Sequence, residues 1–266
     1  MAQSANTLSF FDHAAEVEAL LREKKFFLFL DYDGTLTPIV ATPDLAVLSD
    51  DMRDTLVELA KHYSVSIVSG RATDDVRSKV KIEGLFYAGS HGFEIVQPNG
   101  HVEINEEVKE IKAIIDDAYH KLTDKLRGIE GALVEHVKYT VSTHYRLVAE
   151  ADVPKVAKAV EEVLAEHKSL RKTDGKKVFE VRPNIDWDKG KAVEWILNVL
   201  AFDPEKNIAV YIGDDTTDED AFAVLKNRGF GIRVADEPRD TQAKYVVSNP
   251  SDVEKVLQFF IQHAPN

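Results

Sequence analysis

The sequence contains no cysteine, and this absence excludes several kinds of chemistry at once. Without a thiol, the chain of 266 residues can form neither disulfides nor thiolate metal sites, and it has no cysteine nucleophile. The composition is therefore compatible with a reducing compartment.

Long hydrophobic runs and positive charge are also scarce. No apolar run approaches the ~20 residues that a membrane span needs. Asp12, Glu16 and Glu18 interrupt the segment in which a signal peptide would be apolar. The chain has 33 Lys and Arg against 46 Asp and Glu, a formal net charge of −13, which should repel nucleic acid and anionic membranes. We therefore expect a cytoplasmic protein that binds neither of them.

The apolar residues that are present form short continuous runs separated by helical stripes. The runs 26–30, 65–68 and 208–212 have the character of strands buried on both faces. Ser49 is placed to cap a helix over 50–63. Further helices are predicted at 11–24, 73–80, 189–200, 218–226 and 251–262, with short strands near 85–88, 230–234 and 245–247. Alternating strands and helices predict an α/β fold with a doubly wound parallel sheet.

The pattern changes between residues 106 and 182. A long amphipathic helix comes first, and residues 132–148 then alternate with period two, which is typical of half-exposed antiparallel strands. A helix from 153 and a strand at 178–182 complete an αββαβ block. We therefore predict a core domain formed by 1–105 and 183–266, with 106–182 inserted as a small α+β domain.

Polar clusters follow three of the predicted parallel strands: Asp31–Asp33, Ser69–Arg71 and Gly213–Asp215. The carboxyl ends of parallel strands meet at one edge of a sheet, so these clusters should converge. Several acids at one point repel each other, and a bound cation relieves the repulsion. Carboxylate and carbonyl oxygens suit Mg²⁺, which also recruits phosphate oxygens. The alternatives are a turn or helix cap at Asp31, an ordinary turn at Ser69–Arg71 and a solvated acidic helix start after Gly213.

The pair Asp31 and Asp33 offers two complementary roles in phosphate chemistry. One carboxylate can attack phosphorus and form an aspartyl phosphate. The other can protonate the leaving alcohol and then deprotonate water. Gly34 allows the backbone to turn close to the phosphate.

The order of these motifs resembles the haloacid dehalogenase (HAD) superfamily of phosphotransferases. Asp31-x-Asp33-Gly34-Thr35 is followed by Ser69, Lys189 and Gly213-Asp214-Asp215, and the insertion resembles that superfamily's larger cap domain, the C2 type, on a Rossmann-like core. Further strings, from about residue 27 to 247, resemble the trehalose-6-phosphate phosphatases: Ala88-Gly89-Ser90-His91-Gly92, His144-Tyr145-Arg146, Glu180-Val181-Arg182-Pro183, Trp187–Ala192 and Gly213–Phe222. Thr216-Thr217 departs from relatives, in which an arginine often follows the acid pair.

The resemblance implies a role for each matching core residue. Asp31 is the nucleophile, and Asp33 is the general acid and base. Mg²⁺ is bound by Asp31, by the backbone carbonyl of Asp33 and by Asp214. The remaining implied residues are Ser69 and Gly70 for the phosphoryl oxygens, Lys189 for charge neutralisation, and Asp215 and Asp218, which support the metal site or orient the lysine.

Some of these assignments have competitors within the sequence. Lys191 competes with Lys189, and Arg71 is either a phosphate contact or part of a structural salt bridge. The residues implied in sugar binding are Glu135, Lys138, Lys177 and Glu180, with Arg146 and Asn184 as weaker candidates. His91 follows a predicted core strand and is a further candidate at the border of the site. Glu180 could instead pair with Arg182, the two lysines could simply be solvated, and His144 could be a packed strand residue.

The function implied by the resemblance is Mg²⁺-dependent hydrolysis of trehalose 6-phosphate, with a possible association with trehalose-6-phosphate synthase. The rivals are a phosphatase of sucrose phosphate or a mannosyl phosphate, a receiver-like module that keeps its aspartyl phosphate, and a non-catalytic domain of a trehalose synthase complex. Asp33 and the insertion argue against the receiver. Intact Asp31, Asp33, Lys189 and Asp214 argue against the non-catalytic domain.

Overall fold

Two β-sheets organise the computed structural model, which describes residues 7–237 and 239–265. The strands are β1 (Leu8–Ser9), β2 (Lys25–Leu30), β3 (Ser64–Val68), β4 (Phe86–Gly89), β5 (Glu94–Val96), β6 (Val102–Ile104), β7 (Leu133–Val137), β8 (Thr140–His144), β9 (Leu170–Gly175), β10 (Val178–Pro183), β11 (Asn207–Gly213), β12 (Gly229–Val234) and β13 (Tyr245–Val247). The helices are α1 (Ala14–Leu21), α2 (Asp50–His62), α3 (Thr73–Val80), α4 (Glu106–Leu126), α5 (Val153–Glu166), α6 (Lys189–Val199), α7 (Asp218–Val224) and α8 (Pro250–Gln262).

The larger sheet has the strand order β1-β13-β12-β11-β2-β3-β4-β5-β6. Its strands from β1 to β4 in this order are parallel, and β5 and β6 add an antiparallel edge. The doubly wound parallel sheet is confirmed. The sequence did not predict β1, β5 or β6, which are only two or three residues long.

The central strand β2 is buried on both faces, as its continuous apolar run predicted. Phe26, Leu28 and Leu30 pack into one hydrophobic cluster, and Phe27 and Phe29 pack into the cluster on the opposite side. These side chains are at most 3% exposed, so β2 is fixed in register between β11 and β3. This register places the ends of the three strands beside one another.

The second sheet has the order β7-β8-β10-β9 and is antiparallel throughout. Helices α4 and α5 pack on it through a separate cluster that includes Leu122, Val160 and Val181. We call residues 106–183 the smaller unit. It contains one strand more than the predicted αββαβ block, because β9 (Leu170–Gly175) is largely polar and has no apolar run to reveal it.

The alternating stretch 132–148 contains the two adjacent strands of the predicted αββαβ block. A turn at Lys138, which has a left-handed φ of 58°, divides it into the β7–β8 hairpin. Thr140, at the start of β8, is fully buried. None of the described helices combines the length and the apolar character that a bilayer crossing requires.

Candidate active site

A cavity lies where β2, β3 and β11 end, and the smaller unit forms its other wall. The larger sheet contributes Asp31, Asp33, Gly70 and Asp214, which come from three neighbouring strand ends. The residues contributed by the smaller unit include Glu135, His144, Arg146, Thr173, Lys176 and Glu180. The convergence that the sequence predicted for the three motifs is therefore present.

Lys189 lies at the floor of this cavity, at the first residue of α6. Its Nζ donates to Asp31 Oδ1 at 2.7 Å and to Asp218 Oδ1 at 2.6 Å, and all three side chains are buried. Lys191, the competing lysine, forms an ion pair with the exposed Asp186 instead. Of the two lysines, only Lys189 is placed to offset charge at Asp31.

Asp218 is the most fully hydrogen-bonded acid of the site. Besides Lys189, its carboxylate accepts hydrogen bonds from Tyr211 Oη at 2.7 Å and from the backbone N–H groups of Asp214 and Asp215 at 2.8 Å each. Asp218 thus holds both the lysine and the loop that carries Asp214, whereas Asp215 lines the cavity. The sequence analysis did not select Tyr211, because it lies in the apolar run 208–212 and has the pattern of a residue buried in a strand.

The electrostatics of these buried groups differ sharply. Burial raises the pKa of Asp31 well above its ordinary value, and the charges of Asp218 and Asp214 raise it further against the opposing effect of Lys189. Burial followed by repulsion from Asp218 raises the pKa of Asp214 to about 7. Burial by itself would lower the pKa of Lys189, but the negative charges of Asp218 and Asp31 outweigh this effect and raise the pKa. The site therefore has an excess of negative charge that favours a bound cation.

The side chains present fit a divalent cation. Carboxylate oxygens of Asp31, Asp214 and Asp218 lie within 4.8 Å of one another. Asp214 Oδ1 is buried without a hydrogen-bond partner, whereas both oxygens of Asp218 already accept protein donors. Gly34, with a φ of +82°, makes room, because a Cβ there would lie 2.1 Å from Asp214 Oδ2. Asp31 and Asp214 are therefore the side chains best placed to bind Mg²⁺.

The Asp33 carboxylate lines the cavity and binds Arg71. The guanidinium donates from Nε to Asp33 Oδ2 at 2.6 Å and from a terminal nitrogen to Oδ1 at 2.8 Å. Arg71 also donates to Asp75 Oδ2 and to the carbonyl of Pro43, both at 2.8 Å. The salt-bridge alternative for Arg71 is thus the one present, and it fixes the orientation of Asp33.

Ser69 and Gly70 form the turn after β3. Gly70 lines the cavity, and a Cβ at this position would lie 3.1 Å from the ring of His91. Ser69 is 1% exposed, and its Oγ accepts a hydrogen bond from the Arg71 N–H at 3.1 Å. Of these two residues, Gly70 is the one in the cavity lining.

Glu180 of β10 pairs with His91 from the larger sheet. His91 Nε2 lies 2.8 Å from Glu180 Oε1, and Thr173 Oγ1 donates to Oε2 at 3.2 Å. Burial opposes ionisation of Glu180, but His91 outweighs it and lowers the carboxyl pKa to about 2. Arg182, the alternative partner, instead donates to the carbonyl of Trp187 at 3.0 Å. Glu180 is therefore directed at the cavity.

Other predicted sugar-binding residues fall into two groups. Glu135 lines the cavity and accepts from His144 Nε2 at 3.0 Å, and Arg146 lines it and donates to the Lys176 carbonyl at 2.6 Å. The structure places three others outside the cavity lining: Lys138, which pairs with Glu94 at 2.6 Å, and the exposed Lys177 and Asn184. For these three residues a role in sugar binding stays a prediction, without support from the cavity lining.

In the smaller unit, Lys176 is the lysine in the cavity lining, and the sequence analysis did not select it. It lies in the β9–β10 turn, and its Nζ forms an ion pair with Asp214 Oδ2. Lys177 follows with a left-handed φ of 66°, which turns the backbone between the two lysines. Because β9 was not predicted, no sequence pattern could distinguish one lysine from the other.

Comparisons with known proteins agree with this geometry. A family model described as trehalose-phosphatase matches residues 29–251. The chain is 45% identical over 273 residues to probable trehalose-phosphate phosphatase D of Arabidopsis thaliana, covering 98% of this chain and 73% of that protein. It is 44% identical over 263 residues to trehalose 6-phosphate phosphatase RA3 of Zea mays, covering 92% and 73%.

Solved structures support the same fold. The C-terminal domain of trehalose-6-phosphate phosphatase from C. albicans superposes with a TM-score of 0.80 at 21% identity, covering 98% of this chain and 99% of that one. A haloacid dehalogenase-like hydrolase from Bacteroides thetaiotaomicron gives a TM-score of 0.59 at 16% identity, covering 89% and 99%. Since the family model spans most of the chain and two relatives exceed 40% identity, the chain belongs to the trehalose-phosphatase family, on a HAD-type α/β fold.

Proposed function

We propose that this protein hydrolyses trehalose 6-phosphate to trehalose and phosphate through an aspartyl phosphate on Asp31, with Mg²⁺ as cofactor. The observation that carries the proposal is the buried contact between Lys189 and Asp31 at the floor of a cavity. Family membership supports the substrate, because both relatives are named as trehalose-phosphate phosphatases.

The first step is attack by a carboxylate oxygen of Asp31 on phosphorus. The bond between phosphorus and the sugar's O6 breaks, and Asp33 donates a proton to the departing oxygen. Lys189 stays within hydrogen-bond distance of Asp31 and offsets the negative charge that gathers there. Free trehalose is then the first product.

The second step restores the enzyme. Asp33, now a carboxylate, accepts a proton from water as the water oxygen attacks phosphorus, and the bond between Asp31 and phosphorus breaks. Arg71 binds both carboxylate oxygens of Asp33, so the oxygen that carries the transferred proton must leave its Arg71 contact during each step. Mg²⁺, held by Asp31 and Asp214, would supply positive charge against the phosphate oxygens.

We further propose that the smaller unit is the cap that selects the sugar. Its Glu135, Arg146 and Glu180 line the cavity opposite the strand ends and offer charged donors and acceptors to hydroxyl groups. Two observations argue against a receiver-like module. Asp33 lies beside the nucleophile, and the smaller unit forms a second cavity wall, which would exclude water during transfer.

The test is phosphate release from a panel of trehalose 6-phosphate, sucrose 6-phosphate, mannose 1-phosphate, glucose 6-phosphate and p-nitrophenyl phosphate. We expect kcat/KM for trehalose 6-phosphate to exceed that of every other sugar phosphate by at least about tenfold, equivalent to ~1.4 kcal/mol in the transition state. Chelation of Mg²⁺ should abolish turnover of all of them. A clear preference for another sugar phosphate would overturn the substrate and leave the chemistry standing.

A further inference from the structure

The turn after β4 is held in an unusual backbone conformation. Ser90 and His91 are consecutive residues with left-handed φ values of 47° and 57°, a region that non-glycine residues adopt at a cost in free energy. Such strain persists only where surrounding contacts enforce it, and it is concentrated at functional sites. The contacts of this turn therefore indicate what it is for.

Backbone hydrogen bonds join this turn to the phosphate-site turn after β3. The Ser90 N–H donates to the Arg71 carbonyl at 2.7 Å, and the His91 N–H donates to the Ser69 carbonyl at 2.9 Å. On its other side, Ser90 Oγ donates to the carbonyl of Val137 in the smaller unit at 3.0 Å. The turn thus contacts both walls of the cavity.

The His91 ring connects the same two walls through side chains. It packs on Gly70, where even a Cβ would approach it to 3.1 Å, and its Nε2 lies 2.8 Å from Glu180. Both His91 and Glu180 are more than nine-tenths buried, so solvent cannot replace this contact cheaply. One imidazole ring therefore fixes the position of Glu180 relative to the phosphate site.

We propose that His91 is a positioning residue that holds Glu180 for the sugar, so that sugar recognition and phosphate binding depend on each other through one side chain. This inference rests on the proposed function and deepens it. The sugar subsite is the hydroxyl-accepting carboxylate of Glu180, held from two sides by His91 and Thr173. Each carboxylate oxygen keeps a second lone pair for a sugar hydroxyl.

The chemistry of histidine suits this role. Burial lowers the pKa of His91, and the charge of Glu180 opposes this effect. In either protonation state, a ring that carries its proton on Nε2 donates to the Glu180 carboxylate. His91 Nδ1 is buried without a hydrogen-bond partner, which is consistent with a ring placed for the Glu180 contact rather than for two contacts of its own.

Two variants of His91 separate this role from a merely structural one. His91→Asn keeps a residue that tolerates left-handed backbone but shortens the side chain so that the donor to Glu180 is lost. His91→Gln keeps an N–H donor at about the reach of Nε2. We expect His91→Asn to lower the ratio of kcat/KM for trehalose 6-phosphate to that for p-nitrophenyl phosphate at least about tenfold, and His91→Gln to restore most of it. Equal losses on both substrates would overturn the proposal.

Equilibrium binding tests the coupling directly. Trehalose is titrated into the whole protein in a calorimeter, with Mg²⁺ present throughout and with or without inorganic phosphate. We expect inorganic phosphate to tighten trehalose binding by about fivefold or more. His91→Asn should bring this factor close to one, and His91→Gln should keep it. No coupling in the natural protein, or unchanged coupling in His91→Asn, would overturn the inference.

The outcomes also separate this inference from the function on which it rests. If the natural protein prefers another sugar phosphate, the proposed function fails. If the preference for trehalose 6-phosphate stands and coupling does not depend on His91, only the inference fails. Should His91→Asn not fold, a double-mutant cycle of His91→Gly, which accepts the left-handed backbone and removes the ring, and Glu180→Gln on the substrate ratio decides: additive losses would overturn the proposal.

Discussion

At the scale of single residues, Asp31 and Asp218 both bind Lys189 but differ in the other hydrogen bonds that they accept. Asp218 receives a hydrogen bond from Tyr211 and two from backbone N–H groups in addition to the lysine, and these donors lower its pKa against the effect of burial. The Asp31 carboxylate accepts a hydrogen bond from Lys189 and few others from side chains, and burial raises its pKa. Asp218 is therefore fixed in place, and Asp31 keeps an oxygen free to react.

This contrast predicts the behaviour of Asp31→Asn. We expect phosphate release to fall at least about a thousandfold, because an amide oxygen is a poor nucleophile toward phosphorus. The fold should persist, because asparagine has the same shape and one of three mutually repelling buried acids is removed. Phosphate release and denaturant unfolding measure the two effects.

The matched control for Asp31→Asn is Lys191→Gln, which removes only a pair with the exposed Asp186. This control should remain within about twofold of the natural protein. Turnover of Asp31→Asn at the natural rate would contradict the assignment of the nucleophile.

At the scale of elements, the β9–β10 hairpin decides which side chains of the smaller unit reach the acids of the sheet. Its turn extends over the cavity, so that Gly175 lies beside Asp215 and Lys176 pairs with Asp214. Asp214 is 2% exposed, and this lysine is its only cationic partner among the described residues. The hairpin thus brings a positive charge to a carboxylate that is otherwise short of partners.

The two adjacent lysines of this hairpin give a sharp comparison. We expect Lys176→Gln to lower kcat/KM for trehalose 6-phosphate about tenfold or more, because a hydrogen bond to a charged group contributes ~1.5–3 kcal/mol. Lys177→Gln should stay within about twofold, because Lys177 is exposed and outside the cavity lining. Similar losses for both variants would mean that the hairpin acts through its overall charge and not through the Asp214 contact.

At the scale of the whole molecule, the site exists only when three distant parts of the chain meet. The acids at 31, 214 and 218 are brought together by the pairing of β2 with β11, and their mutual repulsion is a cost of the folded state. Burial and Asp218 raise the pKa of Asp214 to about 7, which is one sign of this cost. A cation that binds the folded protein and not the unfolded chain should offset it.

Unfolding measurements test this expectation without reference to turnover. Mg²⁺ at about one hundred times its dissociation constant should raise the free energy of unfolding by ~2.7 kcal/mol, read as a higher denaturant midpoint. Asp214→Asn should lose most of this increment, whereas Lys191→Gln should keep it. An equal increment in Asp214→Asn would place the cation elsewhere.

Local sequence patterns are enough to predict the features that depend on neighbouring residues. A continuous apolar run ending at an acid predicts β2 and β11, and a serine before a helical stripe predicts the N-cap of α2, where Ser49 Oγ accepts from the Met52 N–H at 3.2 Å. The parallel sheet follows from the alternation of such elements, and with it the convergence of the three motifs. These signals are local because burial and capping act over one or two turns of chain.

The partners of the long polar side chains become visible only in the folded chain. Asp33 binds Arg71, Glu180 binds His91 and Lys176 rather than Lys177 reaches Asp214, and each pair joins residues at least 38 positions apart. The polar strand β9 likewise exists because β10 pairs with it. The physical reason is that a charged side chain takes whatever partner the fold brings within reach, and no local periodicity records that partner.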